Sequence, residues 1–200
     1  ATPEEAPEHF ADVEMVAAFP MRMPDIKRVP TAKWLHSFSA GVDGFLTPAL
    51  VESKTMLSSS SGVHATPIAE HIVGFMLNFT RGFPNTHRQQ MRHEWRKDQK
   101  IGEIRGSNVL VVGLGEIGLE TARILSSFGA NVSAVARSPK KNIKFVSKVG
   151  TAKQLDAMLP AADFVIITLP YTKETHHLFD QSKFKLMKRS AVVINIGRGS

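Results

Sequence analysis

The 200-residue chain contains no cysteine. Disulfides, thiolate metal sites and cysteine nucleophiles are therefore excluded, and a reducing compartment such as the cytoplasm is the expected setting. Long hydrophobic runs are missing too: stretches such as Phe164–Ile167 are far too short to cross a bilayer. No basic-then-apolar leader opens the sequence, so neither secretion nor a membrane partner is expected. Acidic residues are missing from one long stretch, Thr121 to Leu155, which holds Arg123, Arg137, Lys140, Lys141, Lys144, Lys148 and Lys153. Those seven cations equal the whole formal net charge of +7, so the excess is local. A local anion explains it more economically than a nucleic acid, for which no repeat or binding module is present. The remaining composition, 42% hydrophobic and 22% charged, is that of a globular chain with one large or two small domains.

The first 33 residues carry prolines at 3, 7, 20, 24 and 30 and read as weakly organised, with a short strand within Asp12–Phe19. Trp34–Phe38 reads as a second strand, followed by the small-residue turn Ser39-Ala40-Gly41-Val42-Asp43-Gly44. A helix follows, with Thr66 as the expected N-cap, Pro67 at its first position and Glu70 near the positive end of its dipole. Its apolar stripe is Ile68, Ile72, Phe75, Met76 and Phe79. A basic helix is expected over Asn85–Lys97, presenting a solvated or subunit-facing surface. From Ser107 onward strands and helices alternate. Strands are expected at Val109–Val112, Asn131–Ala136, Asp163–Thr168 and Ala191–Asn195. Helices are expected at Ile117–Phe128, Thr151–Leu159 and Asp180–Lys188. The alternation predicts an α/β fold with a parallel, doubly wound sheet. The domain boundary is placed at the long helix, giving regions 1–66 and 67–200. The sequence stops directly after a strand and opens without one, so an internal piece of a longer polypeptide is expected.

Gly113-Leu114-Gly115-Glu116-Ile117-Gly118 matches G-x-G-x-x-G, after an apolar strand and at the opening of a helix. Gly113 permits the tight turn, and Gly115 lets the backbone approach a pyrophosphate lying on the N–H groups of the helix start. Gly118 lets helix and strand pack closely. An acidic residue at the end of the next strand would bind the adenosine ribose of NAD. Here that position is followed by Arg137-Ser138-Pro139-Lys140-Lys141, which offers no carboxylate. NADP is therefore expected over NAD, with Arg137 clamping the 2′-phosphate, Ser138 donating a hydrogen bond, and Lys140 or Lys141 adding positive field. For Lys144, Lys148 and Lys153 a solvated loop position is the better reading.

These features, with seven motifs in order, resemble the D-isomer-specific 2-hydroxyacid dehydrogenase family. The resemblance runs from about Lys33 to Gly199. It rests on Ser39–Asp43, on Ala69-Glu70-His71, on Glu103-Ile104-Arg105-Gly106 and on the glycine fingerprint. It continues through Leu169-Pro170 with Glu174-Thr175, Lys183–Lys188, and Asn195-Ile196-Gly197-Arg198-Gly199. Within the family the chain is most similar to NADPH-using glyoxylate/hydroxypyruvate reductases, a comparison carried mainly by Arg137-Ser138. The resemblance implies a Rossmann-type cofactor domain plus a partial flavodoxin-like substrate domain, in a homodimer formed through the cofactor domain.

The implied reaction moves hydride between nicotinamide C4 and C2 of a small 2-oxo acid. Such a substrate needs a carboxylate anchor, a positive group at its carbonyl oxygen and a proton donor. By resemblance, backbone N–H groups at Ala40 and Gly41 anchor the carboxylate, and Arg198 is the catalytic arginine that also polarises the keto oxygen. Leu169, Pro170 and Thr175 line the adenosine pocket, and Thr168, Ile196 and Gly197 lie along the cofactor channel. The family's proton-donating histidine and its steering glutamate fall beyond Ser200, so impaired turnover is expected of these 200 residues alone. His36, His64, His71, His87, His93, His176 and His177 match no donor position and have no metal-ligand spacing. Two other readings remain open on this scaffold: a formate- or phosphite-type dehydrogenase, and a dinucleotide-sensing corepressor.

Overall fold

A computed structural model of the chain describes residues 10, 12–19, 24–98, 100–138 and 143–197. They fall into two compact units, Ala1–His64 and Ala65–Ser200.

The first unit is built on three parallel strands in the order β1-β2-β3, namely Met15–Ala18, Trp34–Ser37 and Met56–Ser59. Leu35 and Ser37 of β2 are buried, whereas Trp34 and His36 point to the other face, the period-two alternation of a strand. Leu35 packs with Val16, Val29, Phe45 and Leu50, the last carried by a short helix α1, Pro48–Glu52, which Thr47 caps through the Leu50 amide. Strand β3 is not anticipated from the sequence, since Met-Leu-Ser-Ser has no β-branched residue. Tertiary partners hold it in place. Its serines are used by β2, where the Trp34 indole donates to Ser58 Oγ (2.7 Å) and His36 Nδ1 lies 2.9 Å from the same oxygen.

The second unit carries five parallel strands in the order β6-β5-β4-β7-β8. They are β4, Asn108–Val112; β5, Asn131–Val135; β6, Lys148–Gly150; β7, Phe164–Ile167; and β8, Val192–Asn195. The central β4 and β7 are buried on both faces, as their unbroken apolar runs require. One face packs against helices α2, Ala65–Thr80, and α4, Glu116–Ser127, through Ile72, Met76, Val109, Val111, Ala122 and Leu125. The other packs against α5, Leu155–Met158, through Leu110, Val112, Leu155, Leu159 and Val165. Helix α6, Gln181–Leu186, is capped by Asp180, whose carboxylate accepts from the amides of Ser182 and Lys183. The expected α/β class with its doubly wound parallel sheet is the observed one.

Several local expectations are corrected. Helix α2 begins at Ala65, so Thr66 lies inside it and does not cap it. Pro67 remains in the first turn, where a missing N–H costs no hydrogen bond. The buried stripe of α2 is Ala69, Ile72, Val73, Met76 and Thr80, while Phe75 and Phe79 are exposed. This helix is apolar nearly all round, and small Ala69 with β-branched Val73 suits close packing better than two phenylalanines. The basic helix α3 covers Phe83–Met91 and stops short of Lys97, because His93 adopts a left-handed conformation (φ 55°) just beyond its end. Thr151–Leu159 breaks into a 3₁₀ turn at Ala152–Gln154 followed by α5, with Thr151 and Gln154 forming a capping box.

Asp163 ties β4 to β7 at their starts. Its Oδ1 receives Lys188 Nζ (2.7 Å) and its Oδ2 receives the Asn108 amide (2.8 Å). The Lys188 bond first, and then the Asn108 amide, hold its carboxyl below the usual range against the opposing effect of burial. A depressed folded value means that the stabilisation is present above the unfolded value of about 3.9 and is lost as pH falls through the folded one. With both side chains about a third exposed, the contribution is modest. Asp163→Ala is expected to lower the unfolding free energy by about 0.5–1.5 kcal/mol at neutral pH. In urea titrations the gap to the parent protein should close as pH is taken down through the acid range.

Candidate functional site

The strand order places a topological switch point between β4 and β7, since the chain winds outward from β4 through β5 and from β7 through β8. In open α/β sheets ligands sit outside the carboxyl ends of the strands at such a point. The residues found there are the fingerprint and Thr168. Gly113 turns the chain off β4 with φ 108°, a left-handed conformation suited to glycine. Thr168, just past β7, donates from Oγ1 to the Gly113 carbonyl (2.9 Å) and from its amide to Val112 O (2.9 Å). A Cβ on Gly118 would lie 2.0 Å from the Gly113 carbonyl oxygen, and one on Gly113 would lie 2.8 Å from Thr168 Oγ1. Turn, helix and neighbouring strand are thus interlocked with no room for a side chain.

Gly115 is different. Its backbone is extended (φ −76°, ψ −168°), and a Cβ there would meet no protein atom within 4 Å. The space beside it is open at the mouth of α4, whose N-terminus no side chain caps. The first-turn amides, at Glu116 and Ile117, have no acceptor within the helix and carry the positive end of its dipole. The Glu116 side chain is exposed, so the amide is the group it offers. Open backbone beside an uncapped helix start fits a diphosphate.

The other walls follow from the strands on each side. Beyond β5, Ala136 is buried and Arg137 and Ser138 are exposed. Lys140 and Lys141 lie outside the described residues. Beyond β7, the turn after Leu169 and Pro170 is fastened by Thr175, whose Oγ1 donates to Pro170 O (2.6 Å) and accepts from the Thr172 amide (2.8 Å). Beyond β8, a Cβ on Gly197 would approach Leu169 O to 2.5 Å, so the Ile196-Gly197 segment runs against the β7 loop. A cavity of about 200 Å³ lies under that loop, lined by Leu169, Pro170, Thr175, Phe179, Val193 and Asn195. Arg198 and Gly199 lie outside the described residues.

Asn195 holds a positioning role that the sequence reading missed. Its Oδ1 accepts the Gly197 amide (2.9 Å) and shapes the chain leaving β8. An Asn two residues before a glycine is a turn signal that could have flagged it. Ala40 and Gly41 belong to the first unit, in the bend leaving β2, where the Ser39 amide donates to the buried Ser37 hydroxyl (3.1 Å). His176 and His177 are exposed and stacked, with ring centroids 3.8 Å apart. Among the described residues no group of three His, Asp or Glu side chains could hold a metal. A larger crevice of about 820 Å³, lined among others by Asn78, Arg88, Arg105 and Asp163, lies at the opposite, amino ends of β4 and β7. Its place in the fold separates it from the glycine fingerprint at the carboxyl ends of the strands. Among the described residues no helix is long and apolar enough to cross a membrane.

Comparison with known proteins agrees with this geometry. The chain is 28% identical over 170 residues to a D-lactate dehydrogenase of Staphylococcus aureus, covering 84% of this chain and 51% of that one. It thus spans about half the length of that curated relative. A D-isomer specific 2-hydroxyacid dehydrogenase family protein of known structure from Aeromonas salmonicida superposes with a TM-score of 0.89 at 30% identity, covering 99% of this chain and 63% of that one. An NADPH-dependent glyoxylate/hydroxypyruvate reductase from Sinorhizobium meliloti, solved with NADP and sulfate, gives a TM-score of 0.82 at 28% identity, covering 98% and 63%. Residues 73–200 match the family model described as D-isomer specific 2-hydroxyacid dehydrogenase, NAD binding domain, and the chain belongs to that family.

Proposed function

We propose that the protein reduces a small 2-oxo acid to the D-2-hydroxy acid with NADPH, glyoxylate and hydroxypyruvate being the favoured substrates. The observation that carries this reading is the open, uncapped α4 entrance beside Gly115, set at the switch point with Arg137 at its flank. The S. meliloti reductase, whose name states an NADPH dependence, supports the choice of cofactor. The bound dinucleotide supplies the hydride. The Glu116 and Ile117 amides hold its diphosphate, and Arg137 with Ser138 takes the 2′-phosphate. Leu169, Pro170 and Thr175 wall the adenosine, while Thr168, Ile196 and Gly197 line the path toward the nicotinamide. Backbone N–H groups at Ala40 and Gly41 anchor the substrate carboxylate. Arg198, matched through its Asn-x-x-Arg-Gly setting, binds the carboxylate and stabilises negative charge growing on the keto oxygen.

A homodimer and a cytoplasmic location complete the proposal. Phe83, Met91 and Trp95 are exposed apolar side chains on and after α3, Trp95 at 87%. Unpaired aromatic surface of this kind suits burial against a second copy. Met91→Lys with Trp95→Lys should shift the protein toward monomer in sedimentation velocity without loss of helical signal.

Two further results are expected. Gly115→Ala should leave thermal stability unchanged, since its methyl meets no protein atom, yet weaken dinucleotide binding by about tenfold or more, measured by calorimetry. In a steady-state panel of glyoxylate, hydroxypyruvate, pyruvate and bulkier 2-oxo acids, NADPH should outperform NADH. Arg137→Ala should remove about 1–3 kcal/mol of that preference, consistent with a charge-assisted phosphate contact. Equal use of both nicotinamides by the parent protein would contradict the cofactor assignment.

A further inference from the structure

The first glycine of the fingerprint is held from both neighbours of β4. Its amide donates to Val135 O at the end of β5 (2.8 Å), and its carbonyl accepts the Thr168 hydroxyl just past β7 (2.9 Å). The β5 bond runs from backbone to backbone, so any residue at 135 supplies it. The β7 bond depends on sequence, because only a side-chain donor at 168 makes it. The Thr168 amide is already engaged by Val112 O (2.9 Å), which also lies 3.4 Å from Oγ1. Thr168 belongs to the proposed path toward the nicotinamide, yet its hydroxyl is committed to the turn.

What that hydroxyl fixes is a peptide plane. Gly113 has φ 108° and no Cβ, so little steric hindrance opposes rotation of the peptide that joins it to Leu114. Its carbonyl is directed inward, between Thr168 Oγ1 and Gly118, where a Cβ would come within 2.0 Å of the oxygen. An acceptor packed there without its donor is costly. Rotation of the peptide would relieve that cost, and would turn a partly negative oxygen toward the start of α4. An anion lying on the first-turn amides is repelled by such an oxygen.

We propose that Thr168 is a positioning residue for the dinucleotide diphosphate. Its hydroxyl keeps the Gly113 carbonyl turned inward, so that the turn offers N–H groups to the anion and withholds the oxygen. This role rests on the reading of the α4 entrance as the diphosphate site. Thr168 then acts through the turn and not by touching the nicotinamide. It serves NADP and NAD equally, since both carry the same diphosphate.

The test is calorimetric titration of the parent, Thr168→Val, Thr168→Ala and Thr168→Ser with NADP+, NAD+ and ADP-ribose, each below the thermal midpoint of the variant. Valine keeps the volume and the β-branch of threonine, and the backbone bond to Val112 is open to every variant. The valine and alanine variants should bind all of these ligands more weakly by one common factor, about three- to tenfold. The serine variant, which keeps the hydroxyl, should stay within about twofold of the parent. ADP-ribose carries the diphosphate but no nicotinamide, so equal loss there separates action through the turn from contact with the nicotinamide. Unchanged affinity in both hydroxyl-free variants would overturn the proposal. Loss confined to the nicotinamide-bearing ligands would do so too, as would an equal loss in the serine variant. In each of those cases the parent still binds and the diphosphate reading stands. If the parent binds none of these ligands, that reading fails and the role of Thr168 fails with it.

Discussion

The close approach of Gly118 to the Gly113 carbonyl governs the site. A side chain at 118 would collide with that carbonyl at 2.0 Å, so helix α4 can lie against the turn only because the position is glycine. The same carbonyl accepts the Thr168 hydroxyl, which ties the turn to the end of β7. Two buried strands, one helix and one loop are thereby fixed together by a few contacts. The consequence is an α4 entrance that faces outward with its amides unengaged by any capping side chain. Preorganised backbone of this kind can hold an anion without a charged side chain at the turn itself.

Side-chain charge is arranged around that backbone site. The cations between Thr121 and Leu155 account for the net charge, yet the fold distributes them among different tasks. Arg123 pairs with Glu120 on the outer surface of α4 (2.7 Å), and Lys148 is exposed on the edge strand β6, where a charge discourages edge-to-edge pairing. Arg137 is exposed just past the carboxyl end of β5, next to the buried Ala136. A local excess of charge is therefore a weaker guide than the position of a single cation relative to a strand end.

What could be read from the sequence follows the same physics. The fingerprint, the apolar strands β4 and β7 and the strand–helix alternation are dictated by local backbone and burial requirements, and each was legible. Strand β3 and the three-residue β6 were not, because tertiary partners hold them rather than propensity. The buried face of α2 was misread because Phe75 and Phe79 are apolar yet exposed, and periodicity cannot rank faces on a helix that is apolar nearly all round. The end of α3 is set by His93 in a left-handed conformation, a residue with no strong stop signal. Thr168 and Gly197 are singled out by family resemblance alone, and their contacts with Gly113 and Leu169, which join strands far apart in sequence, could not be read from it.

The claim at the centre is that a dinucleotide diphosphate lies on the amides at the α4 entrance. Amide-resolved NMR during titration with NADPH reads it directly. The expected result is a saturable set of shifts centred on Gly115, Glu116 and Ile117, with smaller ones at Arg137 and Thr168. Saturable binding whose shifts fall on α3 or on the amino ends of β4 and β7, with the glycine turn unmoved, would contradict it.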